Sequence, residues 1–287
     1  MSPSAGPARL VDAHVHFWNP HVLSYPWLDG LAALRRPFLP ADYATATDGA
    51  PVERIVFVEC NCNPADNIIE AAFVDGLATA EPRISAVVAY VDVTDVSTRD
   101  RALETLSGFA RVKGIRHNIQ GQPAGFALQR AFVDGVRRVG RSGFTFDLCV
   151  THDQLAETIE LVAQCPNTRF VLDHCGKPAI RCALVEPWRT AITRLAGFEN
   201  VCCKLSGLLT EAGPERSRDE DLAPYANHVV DVFGTARVLY GSDWPVLTLA
   251  GRYADWYGFT QRLTERWSTG ERERFYRDNA VRFYELA

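Results

Sequence analysis

The alternation of short apolar runs with longer helix-period stretches most limits how this chain of 287 residues can fold. Apolar residues at helical spacing fill most of the intervals between these runs, at 65–79, 99–110, 128–141, 153–164, 187–195 and 223–233. The runs are rich in β-branched residues and are predicted as eight strands, at 10–15, 54–59, 84–91, 112–116, 144–149, 169–173, 201–204 and 238–240. Strands that are apolar almost throughout are typical of a parallel sheet. The pattern predicts a single α/β domain over residues 1–287, a TIM-type (β/α)8 barrel.

Three segments depart from the repeat. Residues 17–50 contain too many prolines for a long helix, so we expect a folded excursion after strand 1 that covers the active site. Residues 206–221 are polar and contain glycine, which predicts a loop after strand 7. Residues 253–284 are expected to form two terminal helices that pack on the barrel.

Charge and cysteine content exclude several classes of partner and site. The net charge is −5 and no basic block is present, so nucleic-acid and polyphosphate partners are not expected. The sequence has neither a signal peptide nor an apolar stretch of about 18 residues, which predicts a cytoplasmic protein without a membrane partner. The eight cysteines are interpreted as buried thiols, and a cysteine zinc site is not expected.

Polar residues gather where the predicted strands end, which is where (β/α)8 barrels carry their chemistry. His14 and His16 are two residues apart on strand 1, so both imidazoles point to one side. The other strand ends supply Glu59, Arg116, His117, Asp147, Asp173, His174, Lys177, Lys204, Ser206 and Asp243. We therefore expect one active site at this rim.

Several of these residues also have a structural interpretation. Asp243 could cap the segment that follows it, and Asp173 is expected to support His174 or a backbone turn. Lys204 could form a salt bridge with Glu59 or contact substrate, since an unpaired buried charge is costly. The roles of Lys177, at the surface or on substrate, and of Asp147 stay open.

Aromatic residues near the rim could form a wall over a flat ring. The candidates are Trp18, Tyr25, Trp27 and Trp244, with core packing as the alternative. Trp27 and Trp244 are the two that we assign to substrate binding.

The ordered set of motifs resembles the amidohydrolase superfamily, and within it the sugar-lactone and pyrone-dicarboxylate lactonases, including L-fuconolactonase-like and L-rhamnonolactonase-like enzymes. The motifs are Asp-Ala-His-Val-His at 12–16, Gly-Ile-Arg-His at 114–117, Asp-His-Cys-Gly-Lys-Pro at 173–178, Lys-Leu-Ser-Gly at 204–207 and Gly-Ser-Asp-Trp-Pro at 241–245. This resemblance implies that Asp243 is the general base. It implies that His14, His16 and His174 bind a metal ion or polarise the scissile carbonyl, and that Arg116 and His117 bind substrate.

Departures from the superfamily pattern argue against a two-metal centre. Arg116 and His117 occupy the strand 4 position where binuclear members hold a carboxylated lysine, and strand 5 ends without the histidine of many mononuclear members. His152 follows that strand by a few residues and could take the position only if the strand were longer. Two versions stay open: one zinc ion held by His14, His16 and Asp243, with Glu59 as a further ligand, or a metal-free site.

The predicted function is hydrolysis of a small sugar lactone to the hydroxy acid by water that Asp243 activates. A metal-dependent decarboxylase of the same superfamily and a non-catalytic sugar-acid binding protein are the alternatives. The identity of the lactone and the oligomeric state, including a homo-oligomer, are left open.

Overall fold

A computed structural model describes residues 9–287 and shows eight parallel strands arranged in sequence order. The strands are β1 Leu10–Val15, β2 Val52–Val58, β3 Ile84–Tyr90, β4 Val112–Arg116, β5 Thr145–Leu148, β6 Phe170–Leu172, β7 Val201–Leu205 and β8 Val238–Tyr240. Each pairs in parallel with the next strand in the sequence. The predicted (β/α)8 barrel is confirmed, with strand ends within two residues of the expected ones.

The segment after β8 closes the sheet against β1. Val15 forms a parallel bridge with Trp244, and the His16 amide donates a hydrogen bond to the Trp244 carbonyl at 2.8 Å. The Asp243 amide donates to the His14 carbonyl at 2.9 Å. These bonds fix the backbone of the histidine pair directly beside the backbone of Asp243.

Helices follow the strands, and most of them bury an apolar face. In α4, for example, Phe132, Val136 and Val139 are buried at spacings of four and three residues, which places them on one side of the helix. The α-helices are α1 Pro40–Ala46, α2 Asn67–Ala80, α3 Arg99–Ser107, α4 Arg130–Arg141, α5 Leu155–Gln164, α6 Trp188–Ala196, α7 Leu208–Ala212, α8 Asp219–Phe233, α9 Tyr253–Leu263, α10 Thr269–Glu273 and α11 Asn279–Tyr284.

The carboxyl-terminal helices cover the barrel end opposite to the rim. Helices α10 and α11 are joined by a π-helical turn, so with α9 they form the two predicted terminal helices. Arg169, which immediately precedes β6, donates to the Phe283 carbonyl at 3.2 Å. Tyr284 is buried and reaches the polar interior of the barrel.

The two predicted irregular segments differ in outcome. Residues 17–50 form the expected excursion, with a short 3-10 helix at Pro26–Gly30, helix α1 and an antiparallel bridge between Trp18 and Phe38. The prediction of a plain loop at 206–221 is wrong. Helix α7 and a 3-10 turn at Pro214–Arg216 form there because Leu208, Leu209 and Ala212 provide an apolar face that is buried.

The expectation of buried thiols holds for most of the cysteines. All eight cysteines are free thiols, and six of them are buried. Within residues 9–287, no helix has the length and apolar character needed to cross a bilayer.

Candidate active site

His14 and His16 converge at the carboxyl end of β1, as their two-residue spacing predicts. Their Nε2 atoms are 3.2 Å apart, and both side chains are buried. Nδ1 of His16 lies 2.8 Å from the Val58 carbonyl oxygen. Because a carbonyl only accepts hydrogen bonds, this Nδ1 carries the hydrogen and Nε2 of His16 has a free lone pair.

Asp243 faces three imidazoles at once. Its Oδ1 is 3.4 Å from Nε2 of His16 and 3.8 Å from Nε2 of both His14 and His174. The backbone of Asp243 is left-handed, with φ of 63°. A non-glycine residue in this region is strained, and such strain is concentrated at functional sites.

His174 is held against the strand 7 loop. Its Nδ1 lies 2.9 Å from the Ser206 hydroxyl. A Cβ atom added to Gly207, which has φ of 68°, would lie 2.8 Å from the imidazole. Glycine is therefore required here both for the left-handed backbone and for the close approach of the ring.

A fully buried lysine lies behind His14. The Lys204 ammonium contacts Asp147 Oδ2 at 2.5 Å, Asp173 Oδ1 at 3.0 Å and His14 Nδ1 at 3.1 Å. Tyr284 donates a hydrogen bond to Asp147 from the opposite end of the barrel. Because an ammonium group only donates, in this arrangement His14 Nδ1 accepts from Lys204 and its Nε2 carries the hydrogen.

Arg116 holds the carboxylates of the neighbouring strands. Its Nε donates to Glu59 Oε1 at 2.6 Å, one terminal nitrogen donates to the Glu59 carbonyl at 2.6 Å, and the other reaches Asp173 Oδ2 at 3.2 Å. The Glu59 partner is therefore Arg116, and the expected Lys204–Glu59 salt bridge is wrong. Asp173 pairs with Arg116, Lys204 and His14 rather than supporting His174.

Burial and neighbouring charge set the ionisation of the site. Burial, followed by the charge of Lys204, lowers the pKa of His14 well below its usual value, and burial does the same for His174. Burial alone would raise the pKa of Asp243, but His174, His16 and Lys177 more than offset it and lower the pKa. At neutral pH the site therefore combines an ionised Asp243 carboxylate with neutral imidazoles at His14 and His174, a state in which Asp243 can act as a general base.

Several of these residues line a cavity of about 600 Å³. His16, His174, Asp243, Arg116, His117 and Trp27 all contribute to its wall. The Val93 amide donates to His117 Nδ1 at 3.2 Å, which leaves the other ring nitrogen of His117 as the N–H donor. The Trp27 indole is fixed by its bond to the Cys60 carbonyl at 2.7 Å.

Two predicted substrate-binding residues lie away from the cavity wall. Trp244 is 2% exposed and packs on Phe17, Phe38 and Tyr43, so its assignment to the ring-binding wall is wrong. Trp244 lies past the end of β8 and directly follows Asp243, whose φ is positive, so strand alternation does not set its direction. Lys204 lies behind His14, and contact between Lys204 and substrate stays a prediction.

The donor set fits one divalent metal ion. Nε2 of His14, Nε2 of His16 and Oδ1 of Asp243 all lie within 4.8 Å of one another. Two zinc bonds of ~2.1 Å at a tetrahedral angle span ~3.4 Å, close to the separations in this group. His14 can offer the required lone pair when its Nδ1–H points to Asp173 Oδ1, which lies 3.2 Å away.

Alternative ligand sets fit less well. His14, Asp173 and His174 form a second group, but Asp173 is already paired with Lys204 and Arg116. The tentative ligand Glu59 lies outside both groups.

Sequence reasoning missed the supporting residues of this site. Asp12 accepts hydrogen bonds from the Ser242 amide at 2.8 Å and the Tyr43 hydroxyl at 2.8 Å, which ties β1 to the segment after β8. Tyr284 comes from the last helix, and nothing in its local sequence indicates contact with Asp147. The signal that was available is a charged residue inside an apolar strand, as with Asp12 and Lys204, because such a charge requires partners.

Comparison with known proteins identifies the family of this chain. Residues 11–286 match the amidohydrolase family. The chain is 33% identical to an L-fucono-1,5-lactonase of Burkholderia multivorans over 97% of both chains, and 24% identical to an L-rhamnono-gamma-lactonase of Scheffersomyces stipitis over 90% of this chain and 89% of the relative. A solved zinc-bound amidohydrolase of Burkholderia multivorans superposes with a TM-score of 0.86 at 30% identity, covering 97% of this chain and 99% of that one. The chain therefore belongs to the amidohydrolase family.

Proposed function

We propose that this protein is a lactonase that opens a small sugar lactone, such as a fucono- or rhamnono-type lactone, to the hydroxy acid. The observation that carries the proposal is Asp243 on the wall of a 600 Å³ cavity, with its Oδ1 at 3.4 to 3.8 Å from the Nε2 atoms of His14, His16 and His174. A cavity of this size holds a single sugar ring. The names of the curated relatives support the sugar-lactone class.

The reaction starts with water held at Asp243. The ionised carboxylate accepts a proton from this water as its oxygen attacks the lactone carbonyl. The carbonyl oxygen then gains negative charge, and the Nε2–H of His174, whose Nδ1 accepts from the Ser206 hydroxyl, donates to it. Each well-placed donor of this kind contributes about 3 to 4 kcal/mol to the barrier reduction.

The intermediate then loses its ring oxygen. The acyl C–O bond breaks, and the proton held by Asp243 returns to the departing oxygen, which gives the hydroxyl group of the linear acid. Arg116 and His117 lie on the wall where substrate hydroxyls would bind. His117 is the better placed of the two as a donor, because the Arg116 guanidinium is taken up by Glu59 and Asp173.

A metal ion is compatible with this chemistry. A zinc ion bound by His14, His16 and Asp243 would supply a Lewis acid for the carbonyl oxygen. The hydrogen-bond partners of His14 allow both of its tautomers, since Lys204 donates to Nδ1 and Asp173 accepts from it.

Three further predictions accompany the function. We propose that residues 1–287 act as one domain, that the protein works in the cytoplasm and that it serves carbohydrate metabolism. Homo-oligomerisation is left as a prediction from the sequence.

The proposal is tested by acid release from a panel of sugar lactones, followed with a pH indicator, with and without a chelator. The panel includes L-fucono-1,5-lactone and L-rhamnono-1,4-lactone, with decarboxylation of an aromatic acid as a comparison reaction. We expect enzyme-dependent acid release from at least one lactone. Release of carbon dioxide without lactone opening, or lactone binding without turnover, would contradict the proposal.

A further inference from the structure

The cations around the cavity differ in the number of carboxylates that they bond. The cations in and behind its wall include Arg116, Lys177 and Lys204, and the nearby carboxylates include Glu59, Asp147, Asp173, Glu211 and Asp243. Arg116 and Lys204 are each bonded to two carboxylates at 3.2 Å or less. Neither cation can bond a new anion without giving up a buried partner, which is costly.

Lys177 differs from the other two cations. Its side chain lines the cavity together with Asp243 and His174. Among the described residues, no acceptor lies within hydrogen-bond or salt-bridge distance of its ammonium group, although the residue is only partly exposed. A lysine placed in this way has its three N–H donors available to a bound molecule.

The backbone at Lys177 is strained and well anchored. His174, Cys175 and Lys177 have φ values of 52°, 54° and 46°, in the left-handed region that non-glycine residues rarely adopt. The Lys177 amide donates to the His174 carbonyl at 2.9 Å, and its own carbonyl lies 3.3 Å from Nδ1 of His152. The same turn therefore sets the positions of His174 and Lys177, and strain of this kind persists only where the surroundings enforce it.

The proposed reaction brings negative charge close to Lys177, whose ammonium group bonds no acceptor among the described residues. A neutral lactone enters, negative charge develops on the ester oxygens in the transition state, and the product is a carboxylate. Asp243 and the neighbouring Asp173 and Glu59 would repel that charge. A free cation on the same wall offsets the repulsion.

We propose that Lys177 is a catalytic residue of the lactonase site, whose ammonium bonds the oxygens of the reacting ester group and then the carboxylate of the product. Lys177 exchanges no proton in this scheme. The water oxygen bonds to the carbonyl carbon, the ring C–O bond breaks, and the proton passes from water through Asp243 to the ring oxygen. The inference rests on the proposed function.

The test compares Lys177→Met and Lys177→Arg with wild type. Lys113→Met is the matched control, because Lys113 is near the amino end of β4, away from the rim. Two readouts are combined: kcat/KM for L-fucono-1,5-lactone, and calorimetric binding of L-fuconate, which is anionic, against L-fucose, which is neutral. We expect Lys177→Met to lower kcat/KM by about 100- to 1,000-fold, the usual effect of losing one donor to the developing charge.

The binding comparison separates a charge contact from a packing effect. We expect Lys177→Met to weaken L-fuconate binding about 10-fold or more, as for a lost charged hydrogen bond, while L-fucose binding changes by less than about threefold. Lys177→Arg should recover part of both losses. Equal losses for the two ligands, or kcat/KM within about threefold of wild type, would overturn the inference. If wild type hydrolyses no sugar lactone, the proposed function itself is wrong. If wild type hydrolyses a lactone and Lys177→Met is equally active, only the inference about Lys177 is wrong.

Discussion

Replacing Lys204 by methionine tests the buried charge network behind His14. The Lys204 side chain and its partners Asp147 and Asp173 are all 0% exposed. Methionine fills a similar volume, but Asp147 and Asp173 then lose their positively charged partner Lys204. Removing one partner of a buried ion pair costs about 3 to 5 kcal/mol.

This cost converts into a measurable melting shift. An unfolding entropy of about 2.1 cal/mol/K per residue gives about 0.6 kcal/mol/K for a chain of this length, so Lys204→Met should lower Tm by about 5 to 8 °C. Differential scanning calorimetry measures the shift. Lys113→Met is the control and should change stability by less than about 0.5 kcal/mol.

A double variant identifies the cause of the loss. Lys204→Met with Asp147→Asn removes one of the two stranded charges, so we expect it to recover about 1 to 2 kcal/mol relative to Lys204→Met. A Tm within about 2 °C of wild type for Lys204→Met would refute the reasoning. A double variant less stable than the single one would show that Asp147 is not the stranded charge.

Three further outcomes follow from single contacts. Gly207→Ala places a Cβ 2.8 Å from His174 at a φ of 68°, so the His174 ring must move. We expect kcat/KM for lactone to fall at least about 10-fold. An unchanged value would show that Gly207 does not position His174. Trp27→Phe loses the hydrogen bond to the Cys60 carbonyl at 2.7 Å and should raise KM, which steady-state kinetics measures. Trp244→Phe changes a core contact and should lower stability instead, which thermal melts measure. Burial and then the nearby Glu59 charge raise the pKa of Glu70 from its usual 4.5 to about 8. The folded state then binds the Glu70 proton more tightly than the unfolded state, so wild type should lose stability as pH rises from 4.5 to 8. The loss relative to Glu70→Gln should be up to about 1.4 kcal/mol per pH unit. Free energies of urea unfolding that change in parallel with pH for the two proteins would contradict this.

The fold and the centre of the site could be predicted because they depend on local pattern. Apolar runs separated by helix-period stretches specify a parallel barrel, and a two-residue spacing on a strand brings His14 and His16 together. Because barrel strands all end at one rim, Asp243 and His174 could be placed there as well.

The pairing of the buried charges could not be predicted in the same way. Glu59 pairs with Arg116, Asp147 pairs with Lys204, and Asp173 pairs with both. This choice of partners depends on side-chain directions across the barrel. Trp244 lies past the end of β8 and follows the left-handed residue Asp243, so its direction is not set by the sequence pattern.

The most direct test of the account is lactone hydrolysis by Asp243→Asn. Asparagine keeps the shape of the side chain but cannot take a proton from water. Against L-fucono-1,5-lactone, or whichever panel lactone wild type hydrolyses fastest, we predict a loss of about 100- to 10,000-fold in kcat with a folded protein, and no loss for the exposed control Asp48→Asn. A folded Asp243→Asn variant with kcat close to wild type would contradict the central claim that Asp243 activates water.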